Sequence, residues 1–119
     1  MKRKFLILIL IGVAILGGVI FFFPKNNQPN NTSSIILFYG IGCPHCAKVE
    51  EFIKENQIKE KISFQEREVY FNKNNANELA QKAKECGLPT DEIGVPFLWA
   101  GGKCFIGETE IINFFKEKI

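Results

Sequence analysis

The chain has 119 residues, four of them cysteines, and a formal net charge of +2 at pH 7. A charge this close to zero argues against nucleic acid or another polyanion as the partner, because such partners are attracted by a large basic excess. Beyond the N-terminal segments described next, residues 35–119 are enough for one modest hydrophobic core and leave no room for a second domain.

The N-terminal part begins with a basic tail over 1–4, followed by an uninterrupted apolar stretch over 5–23 that ends before Pro24. The stretch approaches the roughly 20 residues that a helix needs to span a bilayer. Its preceding cations predict that the tail is cytoplasmic and the rest of the chain extracytoplasmic. We therefore expect a single uncleaved transmembrane anchor. The alternative is a cleaved signal peptide, which has a shorter apolar run and a small-x-small cleavage site that this stretch does not carry.

Residues 24–34 are rich in Asn, Ser and Thr and predict a disordered linker. The folded domain then spans 35–119, outside the cytoplasm, in the periplasm or the extracellular space. Four cysteines in an exported domain fit an oxidising compartment.

The first elements of the domain surround a pair of cysteines. Residues 35–39 are apolar and predict a buried strand, and residues 47–54 have apolar side chains three and four apart, which predicts an amphipathic helix. The Cys-Pro-His-Cys sequence at 43–46 lies between them. Two cysteines with this spacing at a strand-to-helix junction are a thiol–disulfide redox motif. The helix N-terminus favours the thiolate of Cys43, which is the attacking species in disulfide exchange.

The remaining elements complete an α/β order of β-α-β-α-β-β-α. They are a strand over 62–71, a helix that Asn75 caps and Gly87 ends, a hairpin of strands 95–99 and 103–106, and a helix over 108–118. The first two strands are joined by a helical crossover and should be parallel, whereas the last two should be antiparallel.

This order resembles the thioredoxin superfamily, and its small glutaredoxin-like branch in particular, because Cys-Pro-His-Cys occupies the first strand-to-helix turn and Gly94-Val95-Pro96 precedes the third strand. The resemblance implies a four-stranded mixed sheet flanked by three helices. It also implies a cis bond at Pro96, and a role for the Val95 backbone in binding an extended substrate segment. No cofactor beyond the cysteine pair is implied.

Two departures from the family pattern bear on the chemistry. The first strand carries no carboxylate, so the acid that thioredoxins bury there as a proton acceptor has no evident counterpart. Glu108 follows Gly107 where glutathione-using glutaredoxins have a Gly-Gly step, and its charge would repel the carboxylates of glutathione.

The catalytic residues expected from the motif are Cys43 as nucleophile and Cys46, one helical turn on and less exposed, as the resolving cysteine. His45 lies between the two sulfurs in sequence and is expected to tune them by stabilising the thiolate. It could instead be a solvated bystander. Pro44 joins it as a tuning residue, although proline also suits the first turn of any helix.

Cys86 and Cys104 leave two interpretations open. Each fits a small apolar side chain, Cys86 on the inner face of its helix and Cys104 on an inward-facing strand position. They could also form a structural disulfide, since the helix of Cys86 ends where the third strand begins and the antiparallel fourth strand returns toward that same end. The Cα separation of about 4.4–6.8 Å that a disulfide requires is not legible from the sequence.

The function expected from these residues is a membrane-tethered thiol–disulfide oxidoreductase that acts on protein cysteines. Its partners would be cysteine-bearing substrate proteins and a membrane redox protein that recharges the pair. The Pro-His dipeptide is shared with the family's strongly oxidising periplasmic enzymes and favours oxidation or isomerisation over reduction. The alternative is an extracytoplasmic thiol module that binds zinc or copper, although structural zinc usually takes two close ligand pairs and this chain has one.

Overall fold

The computed structural model describes residues 3–4 and 35–119. The predicted anchor over 5–23 and linker over 24–34 lie outside the described residues, as does the basic tail apart from Arg3 and Lys4. Among the helices that are described, none combines the length and the apolar character needed to cross a membrane.

The domain contains a four-stranded sheet in the order β2-β1-β3-β4. Its strands are β1 (Ile35–Tyr39), β2 (Gln65–Glu68), β3 (Phe97–Ala100) and β4 (Lys103–Ile106), and its helices are α1 (Pro44–Glu55), α2 (Ile58–Lys61), α3 (Lys73–Glu85) and α4 (Gly107–Lys116). β1 pairs with β2 in parallel, and the β1–β3 and β3–β4 pairs are antiparallel. The mixed sheet and the directions predicted for both strand pairs are confirmed.

The sheet is covered on both faces because its central strand is apolar on both. Successive side chains of a strand point to opposite faces. Ile35 and Leu37 pack in one cluster with residues of α1 and α4, whereas Ile36 and Phe38 pack in another with residues of α3. This two-sided burial explains the continuous apolar run of β1 and makes the domain a helix–sheet–helix sandwich.

One helix was not expected, and one strand is shorter than expected. The expectation of three helices is wrong, because α2 adds a single turn after α1, anchored by the fully buried side chain of Ile58. The strand predicted over 62–71 is confined to β2. Its C-terminal end stops at Glu68, whose carboxylate accepts the backbone N–H groups of Tyr70 and Phe71 at 2.7 and 3.0 Å and turns the chain away from the sheet.

The start of α3 also differs from the prediction. Asn72, not Asn75, is the N-cap, because the Asn72 side chain accepts the backbone N–H of Asn75 at 3.1 Å. At the other end Gly87 has a φ of 72°, as expected of a left-handed cap. The predicted hairpin turn is confirmed, with Gly101 and Gly102 at φ values of 56° and 89°.

Candidate active site

The Cys43–Cys46 pair lies directly after the central strand and forms a disulfide with a Cα separation of 5.2 Å. The turn into it is closed by the backbone N–H of Cys43, which donates to the carbonyl of Gly40 at 3.1 Å. Gly40 cannot be replaced without movement, because a Cβ atom there would overlap the ring of Tyr70. The turn therefore delivers both sulfurs to the first turn of α1.

The position of Cys43 as N-cap of α1 distinguishes the two sulfurs. The backbone N–H of Cys46 donates to Cys43 Sγ at 3.1 Å, so Cys43 takes the place that a serine or aspartate usually occupies at a helix start. Cys46 is the less exposed cysteine, as expected, but 6% against 8% is too small a difference to distinguish the two sulfurs by exposure. The helix N-terminus distinguishes them, because its N–H groups stabilise negative charge on Cys43.

The cis-proline expected from the resemblance lies against this sulfur. The bond between Val95 and Pro96 is cis, and the carbonyl oxygen of Val95 lies 3.6 Å from Cys43 Sγ. The carbonyl of Pro96 accepts the backbone N–H of Gly107 at 3.0 Å, which links this loop to the start of α4. Cys43, Val95 and the N-terminal end of α4 are thereby brought together from three distant parts of the sequence.

His45 faces away from the core and toward α4. Its Nδ1–H donates to Glu108 Oε2 at 2.7 Å, and Lys48 Nζ donates to the other carboxylate oxygen at 3.2 Å. The hydrogen bond from His45, followed by that from Lys48, holds the pKa of Glu108 below its ordinary value of 4.5, against the opposing effect of desolvation. His45 and Glu108 border an open depression of about 390 Å³ that is also lined by Val95 and Pro96.

Another cavity, of about 140 Å³, is lined in part by Cys46. Its lining includes two carboxylates and an ammonium group that the sequence analysis did not single out, those of Glu50, Glu66 and Lys59. Lys59 Nζ donates to Glu66 Oε2 at 2.7 Å, and this hydrogen bond raises the pKa of Lys59. The acids that share a cavity with Cys46 therefore come from α1 and β2 and not from the first strand.

One of these acids had a signal in the sequence. Glu50 is four residues after Cys46, the spacing that places two side chains on the same face of a helix. Glu66 had none, because its place beside the cavity follows from the parallel register in which it pairs with Leu37.

The other two cysteines form a separate bridge at the far end of the sheet. Cys86, the C-cap of α3, is joined to Cys104 of β4 with a Cα separation of 6.2 Å, so of the two interpretations the structural disulfide is the one observed. Cys104 pairs with Trp99, which pairs in turn with Ile36 near the start of β1, whereas Cys43 follows the end of that strand. In residues 3–4 and 35–119 no three His, Cys, Asp or Glu side chains form a group that could hold a metal ion.

Comparisons with known proteins do not add a family. No family model matches the chain, and no curated protein matches it significantly. What the fold and the site define is a class: a small α/β domain with a mixed four-stranded sheet, in which a disulfide at the first strand-to-helix turn faces a cis-proline loop.

Proposed function

We propose that the protein is a thiol–disulfide oxidoreductase of the thioredoxin superfamily, with a glutaredoxin-like domain and no cofactor other than the Cys43–Cys46 pair. The observation that carries the proposal is the environment of Cys43 Sγ. It caps a helix by accepting the N–H of Cys46 and lies 3.6 Å from the carbonyl oxygen next to a cis-proline. A structural disulfide needs neither feature.

The exchange would run through a mixed disulfide. In the oxidising direction a substrate thiolate attacks Cys43 Sγ, the bond to Cys46 breaks, and its electron pair leaves on the Cys46 sulfur, which takes up a proton. A second substrate thiolate then attacks the substrate sulfur of the mixed disulfide and releases Cys43 as a thiolate. In the reducing direction the Cys43 thiolate attacks a substrate disulfide and releases one substrate thiolate. The Cys46 thiolate then attacks Cys43 Sγ of the mixed disulfide, releases the second substrate thiolate and re-forms the Cys43–Cys46 bond.

The helix start favours Cys43 as the leaving group of the second step, because it stabilises the Cys43 thiolate. It does not supply all of that stabilisation. A helix terminus contributes about 0.3–1 kcal/mol to a charged group, and about 2 kcal/mol in partly buried geometry. The terminus therefore favours the thiolate of Cys43 by an amount of this order. Any larger change needs a nearby donor or cation, and His45, two residues along the same turn, has that chemistry.

The cavity beside Cys46 offers a route for its proton. A thiol must lose its proton before it attacks, and a carboxylate can accept that proton directly or through one water. Glu50 and Glu66 border that space together with Cys46. We assign them to proton transfer at the resolving cysteine, the role for which the first strand offers no residue.

The substrate would be a cysteine-bearing protein bound in extended form along the Val95 backbone, opposite Cys43. The apolar stretch over 5–23 and the basic tail support a location on the outer side of a membrane, with a membrane redox partner that recharges the pair. The Pro-His dipeptide supports oxidation or isomerisation as the direction.

A trapping experiment in cells tests the function. Cys46→Ser removes the cysteine that resolves the mixed disulfide on Cys43. Substrate proteins should therefore accumulate as mixed disulfides with Cys43 that dithiothreitol reduces. The matched control is Cys43→Ser, which keeps one cysteine in the motif and should trap none. Equal capture by both variants, or capture by neither, would contradict the proposal, and stoichiometric zinc or copper on the reduced protein would then favour the metal-binding alternative.

A further inference from the structure

The contact between His45 and Glu108 joins the redox motif to a helix 63 positions away in the chain. The His45 side chain is 67% exposed and makes this contact from the solvent side of α1, whereas that of Glu108 is only 25% exposed. Lys48 binds the second oxygen of the same carboxylate, one helical turn after His45. Glu108 thus receives two donors from the helix that carries the reactive disulfide.

Glu108 is held firmly in this place. The backbone N–H of Gly107, the preceding residue, donates to the carbonyl of Pro96, so the start of α4 is tied to the loop that faces Cys43. Glu108 also lies in the first turn of α4, where the helix dipole favours a carboxylate. Its lowered pKa agrees with an anion that persists over the physiological range.

The contact affects His45 in two ways. A carboxylate on Nδ1 keeps the proton on that nitrogen and fixes the orientation of the ring. Its negative charge also opposes the positive charge that a protonated His45 would present to Cys43. Without Glu108 the ring could turn toward Cys43, two residues earlier, and no carboxylate would offset the positive charge of its protonated form.

We propose that Glu108 is a positioning residue that holds His45 and limits the oxidising strength of the Cys43–Cys46 disulfide. The proposal rests on the proposed function, because it assumes that Cys43 is the exchanging sulfur. It gives Glu108 a role in setting the redox equilibrium, in addition to the unfavourable charge that it presents to glutathione.

The equilibrium constant with glutathione tests the proposal on the full-length protein. In this reaction two glutathione thiols become one glutathione disulfide, and their two electrons and two protons convert the Cys43–Cys46 bond into two thiols. Glu108→Gln keeps the size of the side chain and removes its charge. We expect the equilibrium to shift about tenfold toward the reduced protein, or about 30 mV for this two-electron couple. The absorbance of the Cys43 thiolate should develop at a lower pH.

Glu110→Gln is the matched control. Glu110 lies in the same turn of α4, but its carboxylate accepts the backbone N–H of Ile106 at 2.8 Å and does not contact His45. Its equilibrium constant should equal that of the wild type. In a His45→Ala background, Glu108→Gln should have no further effect on the constant, because its influence passes through the imidazole.

Two results overturn the proposal and leave the function standing: an unchanged constant in Glu108→Gln, or the same shift whether or not His45 is present. A wild-type pair that does not exchange with glutathione or with dithiothreitol overturns the proposal and the function together. The exchange measurement on the wild type therefore separates the two failures.

Discussion

The two disulfides of this domain lie at opposite ends of the sheet and differ in what they close. Cys43 and Cys46 are three residues apart and lie within one turn of α1, so their bond constrains little of the chain. Cys86 and Cys104 are 18 residues apart and join the end of α3 to β4. The first bond can open without releasing any element, whereas the second holds two elements together.

The two disulfides also differ in the helix end at which one of their cysteines lies. Cys43 is at the N-terminus of α1, where the unpaired N–H groups stabilise a thiolate. Cys86 is the C-cap of α3, where the unpaired carbonyl groups disfavour negative charge on sulfur. The helix end therefore favours a thiolate at Cys43 and disfavours one at Cys86.

Replacing each bridge in turn tests this contrast most strongly. Cys86→Ala with Cys104→Ala should lower the free energy of unfolding by about 3 kcal/mol, from the loop that the bridge closes, and preserve exchange. Cys43→Ala with Cys46→Ala should abolish exchange and lower the free energy of unfolding by only about 1.5 kcal/mol. Urea unfolding and a dithiol-exchange assay on both variants measure the two effects. The contrast fails if loss of Cys86 and Cys104 also abolishes exchange in protein that is still folded.

The cavity beside Cys46 predicts a smaller effect, on the rate of exchange at the Cys43–Cys46 pair alone. Glu66→Gln should slow attack by Cys46 on a Cys43–glutathione mixed disulfide by about tenfold. This is below the ~10²–10⁴-fold of a fully positioned acid–base group, because Lys59 already binds the carboxylate. Rapid mixing that follows glutathione release measures the step. Glu60→Gln is the control, since Glu60 is also close to Lys59 in sequence but does not border this cavity. Equal rates for the two variants would remove Glu66 from the mechanism.

The smallest predicted effect is the pH dependence that Glu108 gives to the free energy of unfolding. Its pKa is lower in the folded protein than the ordinary value of 4.5, so its ionised form stabilises the fold above that pH. This contribution is lost as the pH falls through the lowered folded value. Urea unfolding of the wild type and Glu108→Gln should therefore differ at pH 7 and converge toward pH 3. A difference that persists unchanged at the acid end would show that another group is responsible.

Local patterns were enough for most of the domain. The apolar run of β1, the helix after it and the glycine turn between β3 and β4 each depend on residues within one element, and all three are found as predicted. Errors arose where a side chain binds the backbone near the end of an element. The Glu68 carboxylate ends β2 early by binding the backbone that follows it, which strand propensity does not register.

The same division applies to the candidate site. Sequence alone determined the pair Cys43–Cys46, its place at a helix start and the proline loop that resembles a known family, because spacing and local periodicity carry that information. Only the tertiary structure decided that Cys86 meets Cys104, that Glu66 borders the cavity of Cys46 and that Glu108 binds His45. These contacts depend on strand order and register, which bring together residues whose separation in the chain leaves no periodic signal.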